Sequence, residues 1–301
     1  MKSLIALFLV LVFILLDSCM TTKKMNVMFA SVNNNVCRRL TGKVVVYAVF
    51  VDSKETKPWT EYDIKTTLDS LRKGIDWLEV QARKDSIPLE IEVDCNRKNS
   101  GVVPIYQEFS KKTLSATLYK KPLFSGVKDI HKWADKVAVE AGKNLPKDTS
   151  KIVKTKVKTS DRERLIARLR AIHRTDNIAL MYLINNYHTD EMSLTLDANS
   201  NHNVEYCIVS YKYPSVFAHE FLHLFGAWDL YITPFDSKRK AIKRKKVAMD
   251  LFPNEIMAFA YRNLESLEIS PFTKYTIGWS KELDQKYANA ILGKRLRPVR
   301  Y

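Results

Sequence analysis

Apolar positions along this chain come in blocks whose period switches between that of a strand and that of a helix. Residues 44–51 (Val-Val-Val-Tyr-Ala-Val-Phe-Val) are an unbroken β-branched and aromatic run, which predicts a buried strand. From 61 to 83 the period turns helical, with Ile64, Leu68, Leu71, Ile75, Leu78 and Ala82 on one stripe. Residues 88–93 alternate as a second strand, while 101–121 fit either a hairpin or an irregular connection. A helix is expected over 127–141, ended by Gly142, then an exposed lysine-rich loop over 143–159. Another helix is expected over 160–172, with Asp161 and Glu163 placed to complement its first turn. Residues 178–184 predict a buried strand and 206–211 a shorter one. Beyond these, 237–247 is dominated by Lys and Arg and reads as a surface loop. Ser270-Pro271 opens a last helix that Gly278 can end. Strands and helices mixed in this way predict an α+β fold, a twisted mixed sheet of about four or five strands with helices packed on it.

The first residues stand apart from that pattern. Lys2 precedes an apolar run, 4–16, that is too short to span a bilayer and has the length of a signal-peptide core. The run ends at Leu16-Asp17-Ser18-Cys19, which resembles a bacterial lipobox, with Asp17 a departure from it. That resemblance implies export, removal of residues 1–18 and a lipid on Cys19; an ordinary cleaved leader is the alternative. Residues 19–39 are then a mostly polar tether, and 40–301 the folded domain. Export permits a disulfide, but nothing in the spacing of Cys37, Cys95 and Cys207 chooses a pair.

Candidate chemistry concentrates between Pro214 and Asp229. His219 and His223 are four apart, so on a helix both imidazoles face the same way and can reach one ion. Glu220 projects beside that face, where it can hold a water rather than the metal. Pro214 suits the helix entrance, with Ser215 or the residue before it as a cap, and Gly226 suits its end. Catalytic zinc takes three protein ligands plus a water, and the helix supplies two. Gly226 allows the chain to reverse, and Asp229 can then return as the third. Asp250, Glu255, His188 and His202 are its rivals, without comparable spacing.

The pattern His219-Glu220-x-x-His223-x-x-Gly226-x-x-Asp229 resembles the metzincin signature of zinc metallopeptidases, in the snapalysin-like variant with aspartate as third ligand. The resemblance implies a zincin-like fold, with an upper part over 40–226 and a smaller lower part over 227–301. It implies Zn2+ as cofactor, Glu220 as general base and then acid, and peptide-bond hydrolysis outside the cytoplasm. It also makes Met257 the candidate for the methionine turn beneath the metal. Many relatives carry a tyrosine two positions after that methionine; here Phe259 stands there and Tyr261 is out of register. In this family an edge strand pairs with extended substrate, a role the resemblance gives to 206–211.

A formal charge of +16 raises the question of anionic partners. No interleaved aromatic and basic motif accompanies it, so nucleic acid is not expected. The expected partners are a protein or peptide substrate and, through Cys19, the membrane. A surface binding protein that keeps the zincin fold and metal without proteolysis is the second reading.

Overall fold

The structure, a computed structural model, describes residues 39–98, 101–108, 123–146, 161–185, 193–196, 204–210, 212–231 and 238–292. The leader with Cys19, and Cys37, His188 and His202, fall outside these residues. The fold is α+β, with a six-stranded mixed sheet and seven helices among the described residues.

At its centre is β1 (Gly42–Asp52), the continuous apolar run, flanked by β2 (Leu89–Cys95) and β6 (Asn177–Ile184), both parallel to it. Outward from β6 come β8 (Tyr206–Val209), also parallel, and then β7 (Ser193–Leu196), antiparallel at the edge. A two-residue strand, β5 (Ile105–Tyr106), extends the β2 edge along the end of β1. The equally short β3 (Arg97–Lys98) and β4 (Gly101–Val102) form a separate antiparallel pair, the hairpin alternative for that region.

Helices cover both faces, because β6 is buried along nearly its whole length without alternation. Helix α1 (Glu61–Lys84) opens on a capping box between Thr60 and Asp63 and buries the predicted stripe. Helices α2 (Leu123–Asn144) and α3 (Asp161–His173) pack on each other. Tyr182 of β6 meets α2 edge-on at Trp133 and donates its hydroxyl proton to Ala134 O at 3.0 Å.

Helix α4 (Pro214–Leu224) carries the motif and lies against α1. The approach is close: a Cβ on Gly74 of α1 would stand 2.5 Å from Pro214 O. Glycine at 74 is therefore a packing requirement. The two helix starts are tied by Lys212, 3.1 Å from the buried Asp63 carboxylate, while Asn185, just past β6, holds the entrance of α1 to the sheet by donating to Pro58 O at 3.1 Å. Downstream lie α5 (Lys238–Leu251), α6 (Pro271–Thr276) and α7 (Gln285–Leu292).

Several expectations are corrected. The stretch 238–251 is helix α5, not a loop. Lys and Arg are good helix formers, and a short inner face with Val247 and Ala248, together with contact to α7, is enough to hold it. Gly142 lies inside α2 rather than ending it. Helix 271–276 is not the last, since α7 follows. Strand β8 is internal, and the edge belongs to β7. Cys95 and Cys207 are separate buried thiols, on strands with β1 and β6 between them.

Candidate metal centre

Helix α4 starts without a side-chain cap: its N-cap is Tyr213, not Ser215, and Pro214 takes the first turn, where a missing N–H costs nothing. Its end is defined more tightly. Gly226 sits at φ +93°, the left-handed region that glycine enters freely. Its N–H bonds to His223 O at 2.9 Å, and the Ala227 N–H reaches back to Leu222 O at 3.1 Å. This reversal has a chemical consequence. It turns Ala227 O toward the ring of His223, which donates Nδ1–H to it at 2.8 Å.

His219 is held in the same way from another part of the chain. Its Nδ1–H donates to Ile256 O at 3.1 Å. A carbonyl oxygen only accepts, so each Nδ1 carries a proton, and in the neutral imidazole that binds a metal each Nε2 presents a lone pair. The two Nε2 atoms are 3.0 Å apart, and Asp229 Oδ1 lies 3.0 Å from His223 Nε2 and 3.3 Å from His219 Nε2. With both imidazoles neutral, three acceptor atoms thus converge on one point, and without a metal a proton on His223 Nε2 fills the gap to Asp229. Ligands about 2.0–2.2 Å from a tetrahedral zinc stand about 3.3–3.5 Å apart, so the triad needs to open by only a few tenths of an ångström. Among the described residues, these are the three whose ligand atoms gather closely enough for a shared metal. The backbone carbonyls behind both rings are the kind of outer support that fixes tautomer and orientation in metal sites.

The electrostatics fit a site built for a cation. Burial works against charge on His223, but the Asp229 carboxylate beside it outweighs that and pushes it up to about 9. Burial likewise opposes charge on Asp229, yet His223 and His219 hold its carboxyl far below the usual range. Raised on folding, His223 contributes stability that is complete below its unfolded value of 6.5 and is lost as pH rises through about 9. Chelator-treated protein should therefore lose stability across that window. Its urea midpoint should fall between about pH 6 and about pH 10, and a midpoint that holds or rises would contradict this origin.

Glu220 is 4% exposed, so its carboxylate needs partners. One is Thr195 of edge strand β7, whose hydroxyl donates to Glu220 Oε2 at 2.7 Å. The Glu220 charge also helps raise His223, which places the carboxylate beside the triad but outside it. Met257 is fully buried, and its peptide is clamped between two partners. Its N–H donates to Glu255 Oε1 at 3.0 Å and its carbonyl accepts from Leu230 N–H at 3.0 Å. Glu255, one of the rival third ligands, is instead a buried brace that also accepts from Ser270 N–H and the Thr273 hydroxyl. Asp250 is exposed on α5. Phe259 lies under the Arg262 guanidinium at 3.7 Å, and Tyr261 is 68% exposed.

Two residues here escaped the sequence reading. Tyr231 stacks on His219 with ring centroids 6.0 Å apart, and burial followed by the Asp229 charge holds its hydroxyl protonated far above the usual range. Nothing in its spacing distinguishes it from any other tyrosine. Thr195 did carry a signal, the alternation Ser193-Leu194-Thr195-Leu196, too short to stand out within a polar stretch. Comparison of the chain with models of protein families, with curated proteins and with solved structures returns no match.

Proposed function

We propose that this chain is a zinc-dependent endopeptidase with a metzincin-like fold, exported and held at the cell envelope through Cys19. The observation that carries the reading is the convergence of two Nε2 lone pairs and one carboxylate oxygen, with Glu220 held beside them as a separate base. Three protein donors match an open catalytic zinc site, whereas structural zinc is closed by four. That difference also favours an enzyme over a binding protein that merely keeps the metal.

Zinc bound there supplies Lewis-acid polarisation of the scissile carbonyl and of water. The chain's own residues do the rest. Glu220 accepts a proton from the attacking water and returns one to the leaving amine. Thr195 keeps its carboxylate aimed during both transfers. Ala227 O holds His223 and Ile256 O holds His219 in the tautomer that leaves Nε2 for the metal. Tyr231 remains protonated beside Asp229, where its hydroxyl can donate and not accept charge.

Metal analysis of purified protein and cleavage of a peptide library test the reading together. One equivalent of zinc and internal cleavage that a chelator abolishes are expected. Stoichiometric zinc without hydrolysis would favour the binding protein. The role of Thr195 has its own test. Thr195→Val should lower kcat by about 10- to 100-fold with KM nearly unchanged, and Thr195→Ser should restore it, because a hydrogen bond to a charged group is worth about 1.5–3 kcal/mol.

A further inference from the structure

Helix α5 leaves two large apolar residues on its outward face, besides Leu251 at its last position. Ile242 is 48% exposed and Met249 42% exposed, although both are large apolar residues. Seven positions separate them, about two helical turns, so they share one line along the helix. On either side of that line lie Lys243, Lys245 and Lys246, all exposed, with Asp250 the one acid on this face. The inner face is already committed: Val247 and Ala248 join the core, and α5 packs on α7. The exposed apolar residues are therefore not a side effect of a helix that lacks an inner face.

We propose that this outward face of α5 docks on an anionic lipid bilayer. An apolar centreline flanked by lysines matches a layered partner, in which side chains enter the acyl boundary while ammonium groups reach lipid phosphates. Each lysine near such a surface contributes, and the net charge of +16 draws the whole molecule toward it at longer range. A nucleic acid would use the lysines but leave Ile242 and Met249 without a role. Among the described residues no helix is long and apolar enough to cross a membrane, so this contact lies on the bilayer. It also has a position relative to the metal centre. Arg244 reaches Tyr231 O at 3.5 Å, which ties the helix to the segment that follows Asp229. The proposal does not depend on peptidase activity.

A local probe separates this contact from anything the leader does. The full chain carrying Cys19→Ser, Cys37→Ser and Met249→Cys would be labelled at position 249 with an environment-sensitive fluorophore, since Cys95 and Cys207 are buried. Vesicles of phosphatidylglycerol and phosphatidylcholine in equal parts should shift its emission to the blue, and phosphatidylcholine alone should not. Replacing Lys243, Lys245 and Lys246 together by Gln should raise the lipid concentration for half the shift on the order of 100-fold. No shift with either vesicle, an equal shift with both, or a shift with polyglutamate or DNA but not with vesicles would each overturn the proposal.

Discussion

Glu220→Gln is expected to leave one zinc per chain and to lower peptide turnover by about 100-fold or more. Glutamine has the size of glutamate, and its amide oxygen can still accept from the Thr195 hydroxyl. The buried pocket thus keeps its shape and its hydrogen bond. What disappears is the ability to take a proton from water at neutral pH. The triad His219, His223 and Asp229 does not include this side chain, so metal content should not change. Zinc measured by atomic absorption and kcat measured on the best library peptide decide the matter together. A variant that hydrolyses peptide at the parental rate would remove Glu220 from the mechanism and with it the proposed reaction.

Asp229→Ala should instead fail at the metal. Even outer partners of metal ligands cost about 10- to 100-fold in affinity, so removal of a ligand should cost more than about 100-fold. The variant also loses the carboxylate that faces both Nε2 atoms, at 3.0 and 3.3 Å. Without it, two lone pairs remain on one side of the point of convergence, and zinc would need another solvent ligand. Competition with a chromophoric chelator gives the affinity directly. Parental affinity in Asp229→Ala would show that the third ligand comes from elsewhere, and the unassigned His188 and His202 would then be the residues to substitute. Loss of metal in Asp229→Ala beside retention in Glu220→Gln would separate the binding role from the proton-transfer role within one helix and its turn.

The pattern of residues had already determined the central features. The run at β1, the stripe on α1 and the motif helix are all strong local signals, and each formed where its period placed it. So were the two imidazoles on one helix face and the reversal at Gly226, because helix geometry and a positive φ are local properties of the chain. Asp229 belongs to the same set: six residues from His223, it is within reach of one turn.

Tertiary structure alone decided what surrounds these groups. Ile256 O fixes the His219 tautomer from 37 positions away, and Thr195 reaches Glu220 from 25 positions away. Neither contact has a local signature, since each depends on how the sheet and the later segments pack. Glu255 shows the same limit from the other side. In sequence it stood among the rival ligands, but burial and donors from Met257, Ser270 and Thr273 make it a brace. The edge of the sheet was likewise invisible in sequence: whether β8 or β7 lies outermost is set by strand order, not by the composition of either strand. The convergence of His219, His223 and Asp229 could be anticipated from spacing because it is local, whereas the tautomers, the orientation of Glu220 and the edge of the sheet arise from long-range packing and required the fold.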